Sequence, residues 1–404
     1  MTPVELSRTV LGAVRRAVDD GVLDVAVPER VKVTTPGPGG CGDYATNIAL
    51  QLARPAGQSP LHVAEILRTR LAASDGVRDV VVTGPGFLNI TLGGAAGVDL
   101  VAEILRRGPR YGFVDEPSGE VVHLHAPCEV RAVVVMDVVG RLLRSQGVGV
   151  RTSREGGVLE GEWITVLGVR GCGDEGVPGQ AASSAGHVIQ PVPAPAFPLH
   201  LGRDAGRWAL LHPAGHDRPR ISDEHLVQRE GNPLFRVRYA HARIRALSRN
   251  AADLGFRAEP GPIEPDGDPA RPMGAAAHPT ATPARPTDAA AHPAGPPTPA
   301  GTGVPTPDAL QAPPTPRPPH PLLHPLADHP RVLARAAAHR APDRLARHLV
   351  SVADAVLPLL PAVLPRGAEK PSATHRARLA LAEAAGAVLA GGLSLLGIDA
   401  PEHL

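Results

Sequence analysis

The stretch Asn232-Pro-Leu-Phe-Arg-Val-Arg-Tyr-Ala-His-Ala-Arg-Ile-Arg-Ala-Leu247, continued by Ser-Arg-Asn through Leu254, decides how the chain is read. Asn232 suits a helix N-cap, and Pro233 suits the first helical position, where its missing N–H costs nothing. Leu234, Val237, His241, Ile244, Ala251 and Leu254 recur at spacings of three, four and seven, which predicts a helix with one buried face. Arg238, Arg245 and Arg249 fall on one flank of it, with Arg236 and Arg243 on the other. No acidic residue interrupts the run between Gly231 and Ala252. A helix that buries one face and shows arginine on both flanks fits a phosphate backbone. The competing reading is a surface helix with solvated arginines.

Working outward, the 404 residues give room for about two or three domains. Few aromatics and abundant Gly and Pro mean that part of the chain does not build a core. The formal net charge is +1, so no global field draws nucleic acid, and any such affinity must come from local patches. Cys41, Cys128 and Cys172 are few, odd in number and far apart, which suggests free thiols in a reducing cytoplasm. Cys172 lies in Gly171-Cys-Gly173 without a partner cysteine, and His320, His324 and His329 are irregularly spaced, so no metal site is expected. No uninterrupted apolar run approaches membrane-spanning length, and acidic residues near the start argue against a targeting peptide. The expectation is a soluble cytoplasmic protein without a membrane partner.

In chain order, Leu6, Val10, Ala13 and Ala17 predict an amphipathic helix closing at Asp19-Asp20-Gly21. A strand is expected over 25–34, then a glycine-rich loop that lacks the Lys-Ser/Thr pair of a phosphate-binding turn. Asp43 is expected to cap a helix over 44–53, and a further helix follows at 60–73. Strands at 77–83 and 87–92 flank the turn Gly84-Pro85-Gly86. This is a small α+β domain, residues 1–112. A strand at 121–124 and a helix at 131–143 begin the middle segment, 113–203, whose Gly-, Ser- and Pro-rich part carries one short strand at 163–169. Residues 204–258 open a helical domain. The Pro/Ala/Thr-rich tract 259–319 has almost no branched aliphatics and is expected to be a disordered linker. Helices resume in 320–404: one at 331–339, one capped by Asp343 and broken near Pro358 and Pro361, and a last one closed by Gly397.

The string Asn232 to Ile244 resembles the opening helix of the anticodon-binding domain of arginyl-tRNA synthetases. Asp204-Ala-Gly-Arg207 resembles the Asp-Ala-Leu-Arg signature of that domain, with Gly206 in place of leucine. Residues 42–50 and 84–90 resemble the family's additional N-terminal domain, which touches the outer corner of tRNA. Phe87 and Asn89 stand where the family has an aromatic and an asparagine that meet a base there, one stacking it and one reading its edge. The plain alternative makes Phe87 core and Asn89 a strand-end turn residue. Residues 326–330, 344–349 and 391–402 resemble the family's C-terminus, but Leu359-Leu-Pro-Ala-Val363 replaces the segment that approaches the anticodon loop.

The strand–turn–helix at 121–143 resembles the first unit of a class I synthetase catalytic domain. The family's His-x-Gly-His signature falls on Ala126-Pro-Cys-Glu129, so both histidines and the glycine are missing and Glu129 sets an anion where polyphosphate approaches. His123 and His125 lie upstream of the signature as strand-end residues. No lysine lies between Lys32 and Lys370, and too few residues separate Arg131 from Asp204 for a complete catalytic domain. The resemblance implies a multidomain protein: an α+β N-terminal domain, a vestigial α/β middle and an all-α anticodon-binding bundle interrupted by the linker. It implies a non-catalytic binder of tRNA, tRNA-Arg first, using Phe87, Asn89, Arg236, Arg238, Tyr239, Arg245 and Arg249. No catalytic residue, metal or DNA partner is expected, and ATP and arginine enter only if ligase activity survives. The alternatives are a residual or partner-assisted arginine–tRNA ligase, and an interaction scaffold baited by the linker.

Overall fold

The computed structural model describes residues 1–37, 40–156, 161–169, 186–262 and 320–403. Cys172 and the tract 263–319, with the linker expectation attached to it, lie outside the described residues.

Helix α1 (Pro3–Asp19) opens with a capping box between Thr2 and Glu5 and buries Leu6, Val10, Ala13, Val14 and Ala17. Strands β1 (Val33–Thr34) and β2 (Tyr44–Thr46) precede helices α2 (Ile48–Ala53) and α3 (Pro60–Ala72). Strands β3 (Val77–Thr83) and β4 (Phe87–Leu92) complete an antiparallel sheet of order β1-β2-β4-β3. Two expectations change here. The strand over 25–34 shrinks to Val33–Thr34, and the helix over 44–53 divides into a strand and a shorter helix. The cause is Asp43, whose carboxylate does not cap a helix. It accepts Leu92 N at 2.6 Å, which ties the chain to the end of β4. Residues 44–46 then pair with β4, Tyr44 opposite Ile90, and the helix waits until Ile48. Gly42 starts this pairing at φ +78, where a Cβ would stand 2.9 Å from Ile90 O.

A helix with no counterpart in the sequence expectations, α4 (Gly94–Arg107), leaves this sheet and lays Leu100, Val101 and Ile104 into a second core. Strand β5 (Val121–Ala126), helix α5 (Val130–Ser145) and strand β6 (Gly149–Arg154) form a parallel βαβ unit with Val121 opposite Gly149. Helix α6 (Gly161–Thr165) replaces the strand expected over 163–169: Trp163 and Leu167 are buried, but Thr165 between them is exposed, so the every-second-residue burial of a strand is broken. Strand β7 (Gly186–Val188) pairs parallel to the other side of β5.

The helices α7 (Gly202–Leu211), α8 (Pro233–Asp253), α9 (Leu323–Ala338), α10 (Pro342–Val356) and α11 (Ala373–Leu396) make up the rest. α8 begins as expected, with Asn232 Oδ1 accepting from Leu234 N and Phe235 N. α9 starts well before 331 and runs through Pro330, held by the burial of Leu326, Ala327, His329 and Leu333. Asp343 sits inside the first turn of α10 and pairs with Arg347 at 2.6 Å instead of capping. α11 ends at Gly397, in the left-handed conformation. Against the expectation from apolar runs, α11 and the span Pro342–Ala362 are long and apolar enough to cross a membrane by length and composition alone. Most of α11 is buried against neighbouring helices, so its apolar surface is used in packing.

One hydrophobic core runs from Leu100 to Ile398 through the α/β segment and the helices, while a separate core spans Leu6 to Ile90. Two buried arginines join the pieces of the larger core. Arg131, fully buried, donates to the carbonyls of Leu210, Val192, Asp217, Pro213 and Ala214, binding α5 to the end of α7. Arg207, equally buried, pairs with Asp137 at 2.6 Å and donates to Leu396 O and Leu167 O, linking α7 to α5 and α11. Burial pushes the Arg207 guanidinium below its usual pKa, and Asp137 works against that. Gly206 also has a local reason: a Cβ there would meet Leu167 Cδ2 at 3.0 Å and Pro198 O at 3.1 Å.

Candidate nucleic-acid interface

Phe87 opens β4 beside the Gly84-Pro85-Gly86 turn and is 41% exposed. Asn89, two residues on, is 2% exposed, and its amide is used internally: Nδ2 donates to Thr83 Oγ1 at 2.6 Å and to Val81 O at 3.4 Å. The structure therefore offers the Phe87 ring to solvent and withholds the Asn89 amide. A base edge reaches Asn89 only if the bond to Thr83 opens.

The second group lies on α8, in the larger core's domain and apart from the N-terminal core over which Phe87 stands. Leu234, Val237, His241, Ile244 and Ala251 are buried as the spacing predicts, with the arginines on the flanks, but Leu254 falls past the helix end as its C-cap and is 52% exposed. Phe235 stacks on Tyr239, ring centroids 5.5 Å apart, and Tyr239 is 40% exposed. Beside them is a concavity of about 380 Å³ lined by Asp204, Leu226, Asn232, Phe235, Arg238 and Asp399, among others.

Four of the five arginines of α8 are ion-paired. Arg236 pairs with Asp354 of α10 at 2.8 Å, and Arg238 with Asp204 of α7 at 3.3 Å. Arg245 and Arg249 both hold Glu402, at 3.0 and 3.1 Å. Arg245 first, then Arg249, keeps the Glu402 carboxyl below its usual pKa. The basic run is uninterrupted along the sequence, yet the fold supplies acids from three other places. Sequence reasoning missed these because no local pattern links residue 402 to residue 245.

At the other candidate centre, Glu129 is the N-cap of α5. Its carboxylate accepts from Arg131 N at 3.1 Å, Ala132 N at 2.9 Å and Ala194 N at 3.2 Å. The helix N-terminus, with its positive end, is thus filled by the protein's own anion. His125 Nδ1 lies 2.9 Å from Ser153 Oγ, at the C-terminal end of the parallel strands.

With this geometry in hand, comparison with known proteins defines the class. The arginyl tRNA synthetase N terminal domain profile matches residues 6–92, and the DALR anticodon binding domain profile matches residues 317–404. The arginine–tRNA ligase of Frankia alni is 40% identical over 160 residues, which are 37% of this chain and 29% of that protein. That of Renibacterium salmoninarum is 44% identical over 164 residues, 37% and 30% of the two chains. That of Paenarthrobacter aurescens is 32% identical over 209 residues, 47% and 38% of the two chains. The matched part is less than two-fifths of each of these relatives. Among solved structures, the arginyl-tRNA synthetase of Thermus thermophilus superposes with a TM-score of 0.58 at 14% identity, covering 100% of both chains. That of Plasmodium falciparum gives 0.60 at 8% identity, covering 100% of this chain and 99% of the other. The chain is an arginyl-tRNA synthetase-related protein. It carries the family's N-terminal domain, a central α/β region and a helical DALR domain.

Proposed function

We propose that the chain binds tRNA, tRNA-Arg before others, through its N-terminal domain and the α8 face, and does not aminoacylate it. Binding rests on the two tRNA-associated domains, on the exposed Phe87 ring of the N-terminal domain, and on the exposed Tyr239 ring that shares α8 with the flanking arginines. Loss of catalysis rests on one observation above all: Glu129 caps α5 with its carboxylate, taking three backbone N–H groups where the resemblance places phosphate-contacting histidines. An anion seated there repels polyphosphate. In this reading the protein works in the cytoplasm and uses neither ATP nor arginine. Titration of purified protein with tRNA tests the binding half: Phe87→Ala should weaken it about tenfold, the size of one lost stacking contact. An unchanged affinity would remove Phe87 from the interface.

A second reading, arginine–tRNA ligase activity alone or with a complementing subunit, is favoured by the similarity to arginine–tRNA ligases. ATP-dependent formation of arginyl-tRNA by the purified protein, alone or above the background of an added cell extract, would establish it and defeat the non-catalytic reading.

A further inference from the structure

The four ion-paired arginines of α8 are neutralised in two different ways. Asp354 and Asp204 lie within helices α10 and α7, and Asp204 also accepts Asp399 N at 3.0 Å, so these acids belong to the packed frame. Glu402 does not. It lies beyond α11 and its Gly397 cap, in residues 399–403, which form no helix or strand. Among the described residues, three side chains hold the far end of this segment. His241 donates Nδ1–H to Pro401 O at 2.9 Å, Arg245 Nε meets both Glu402 carboxylate oxygens at 3.0 and 3.1 Å, and Arg249 reaches Glu402 Oε2 at 3.1 Å and Glu402 O at 3.3 Å. The segment is anchored at Asp399 and latched at 401–402.

A carboxylate held by two arginine side chains has the charge and acceptor geometry of a phosphodiester. Both arginines and Glu402 are about half exposed, so the carboxylate is reachable by competing anions and its hold is weak. We infer that Glu402 is an internal phosphate surrogate: it covers Arg245 and Arg249 in the free protein and is displaced when an RNA backbone phosphate takes the pair. This rests on the tRNA-binding reading of α8 and adds a gate to it. The gate turns a standing basic patch into one that opens only to an anion able to outcompete a tethered carboxylate. Weak, scattered anions are thereby excluded, and a polyanion already gripped elsewhere on the protein is admitted.

The gate has a thermodynamic signature. In the native protein, a phosphate arriving at the pair frees a carboxylate, which gathers a cation from solution, and this cancels about one of the cations released from the RNA. Removing the carboxylate removes the cancellation. The test compares full-length protein with Glu402→Ala and Glu402→Gln, titrated with tRNA across a salt series, together with amide hydrogen exchange of residues 399–403. Glu402→Ala should bind about three- to tenfold tighter at low salt, with the log–log salt slope steeper by about one. Glu402→Gln, which keeps the shape and loses the charge, should move the same way. Exchange at 399–403 in the native protein should rise when tRNA binds. Equal or weaker binding by both variants, with native protein still binding, overturns the gate and leaves the tRNA reading standing. Protection of 399–403 on binding also overturns it. Binding by the variants alone supports the gate in its strongest form, and no binding by any of the three overturns both.

Discussion

Histidine 348 faces histidine 329 in the larger core, ring centroids 5.2 Å apart, and His329 in turn stacks on Tyr111 at 6.0 Å. Both histidines are buried, and His348 Nε2, His329 Nδ1 and Tyr111 Oη have no hydrogen-bond partner among the described residues. Burial pushes His348 down to about 4 and His329 well below its usual value, the latter helped by repulsion from His348. The unfolded chain takes up a proton on each near pH 6.5, while the folded chain resists until far lower. Stability from this pair is therefore complete above pH 6.5 and falls as pH drops toward 4. For His348 alone, a shift from 6.5 to about 4 makes unfolding about 2 kcal/mol easier at pH 5 than at pH 8. His348→Leu has nearly the same volume and no proton to take up, so that loss should shrink by about 2 kcal/mol, while stability at pH 8 changes by about 1 kcal/mol or less. Urea unfolding followed by tryptophan fluorescence suits the question, because Trp163 and Trp208, the two tryptophans of the chain, both sit in this core. If native protein and variant lose the same stability between pH 8 and pH 5, the buried-neutral assignment is refuted.

Arg207→Leu leaves Asp137 buried with Arg141 as its one ion-pair partner among the described residues, and should cost about 3–5 kcal/mol in the same urea assay. Gly391→Ala places a Cβ 2.2 Å from Pro109 O, so α11 must move off the turn after α4. About 1–3 kcal/mol should be lost, whereas Gly215→Ala, with open space around it, should be nearly silent. Asn232→Ala removes the α8 cap and the two bonds from Nδ2 to His225 O and Val227 O. It should lower stability by about 1–2 kcal/mol and loosen the entry to α8, measured by hydrogen exchange at 233–236.

The long, strongly periodic elements were readable from residues alone. α8 declares its cap, its first proline and its buried stripe within one stretch, and β3 and β4 declare themselves around Gly84-Pro85-Gly86. What could not be read depended on partners distant in sequence. Tyr44–Thr46 is too short to show a strand pattern and becomes one where Asp43 reaches Leu92, and α9 passes through a proline because neighbouring helices bury both sides of the break. The candidate site divides in the same way. Phe87 and Tyr239 are exposed as their motifs suggest, and the arginine flanks are where the spacing puts them. The burial of Asn89 comes from Thr83 across the hairpin, and the neutralisation of Arg245 and Arg249 from Glu402. Helical spacing records which side of a helix a charge lies on, and is silent about which acid will meet it.

The most direct measurement is binding of the full-length protein to tRNA-Arg and to two unrelated tRNAs, each followed across a salt series. A surface that combines exposed rings with arginines predicts saturable binding whose preference for tRNA-Arg persists as salt rises, since stacking and base contacts are screened less than phosphate contacts. Absence of binding to any of the three at low salt would contradict the tRNA-binding reading outright.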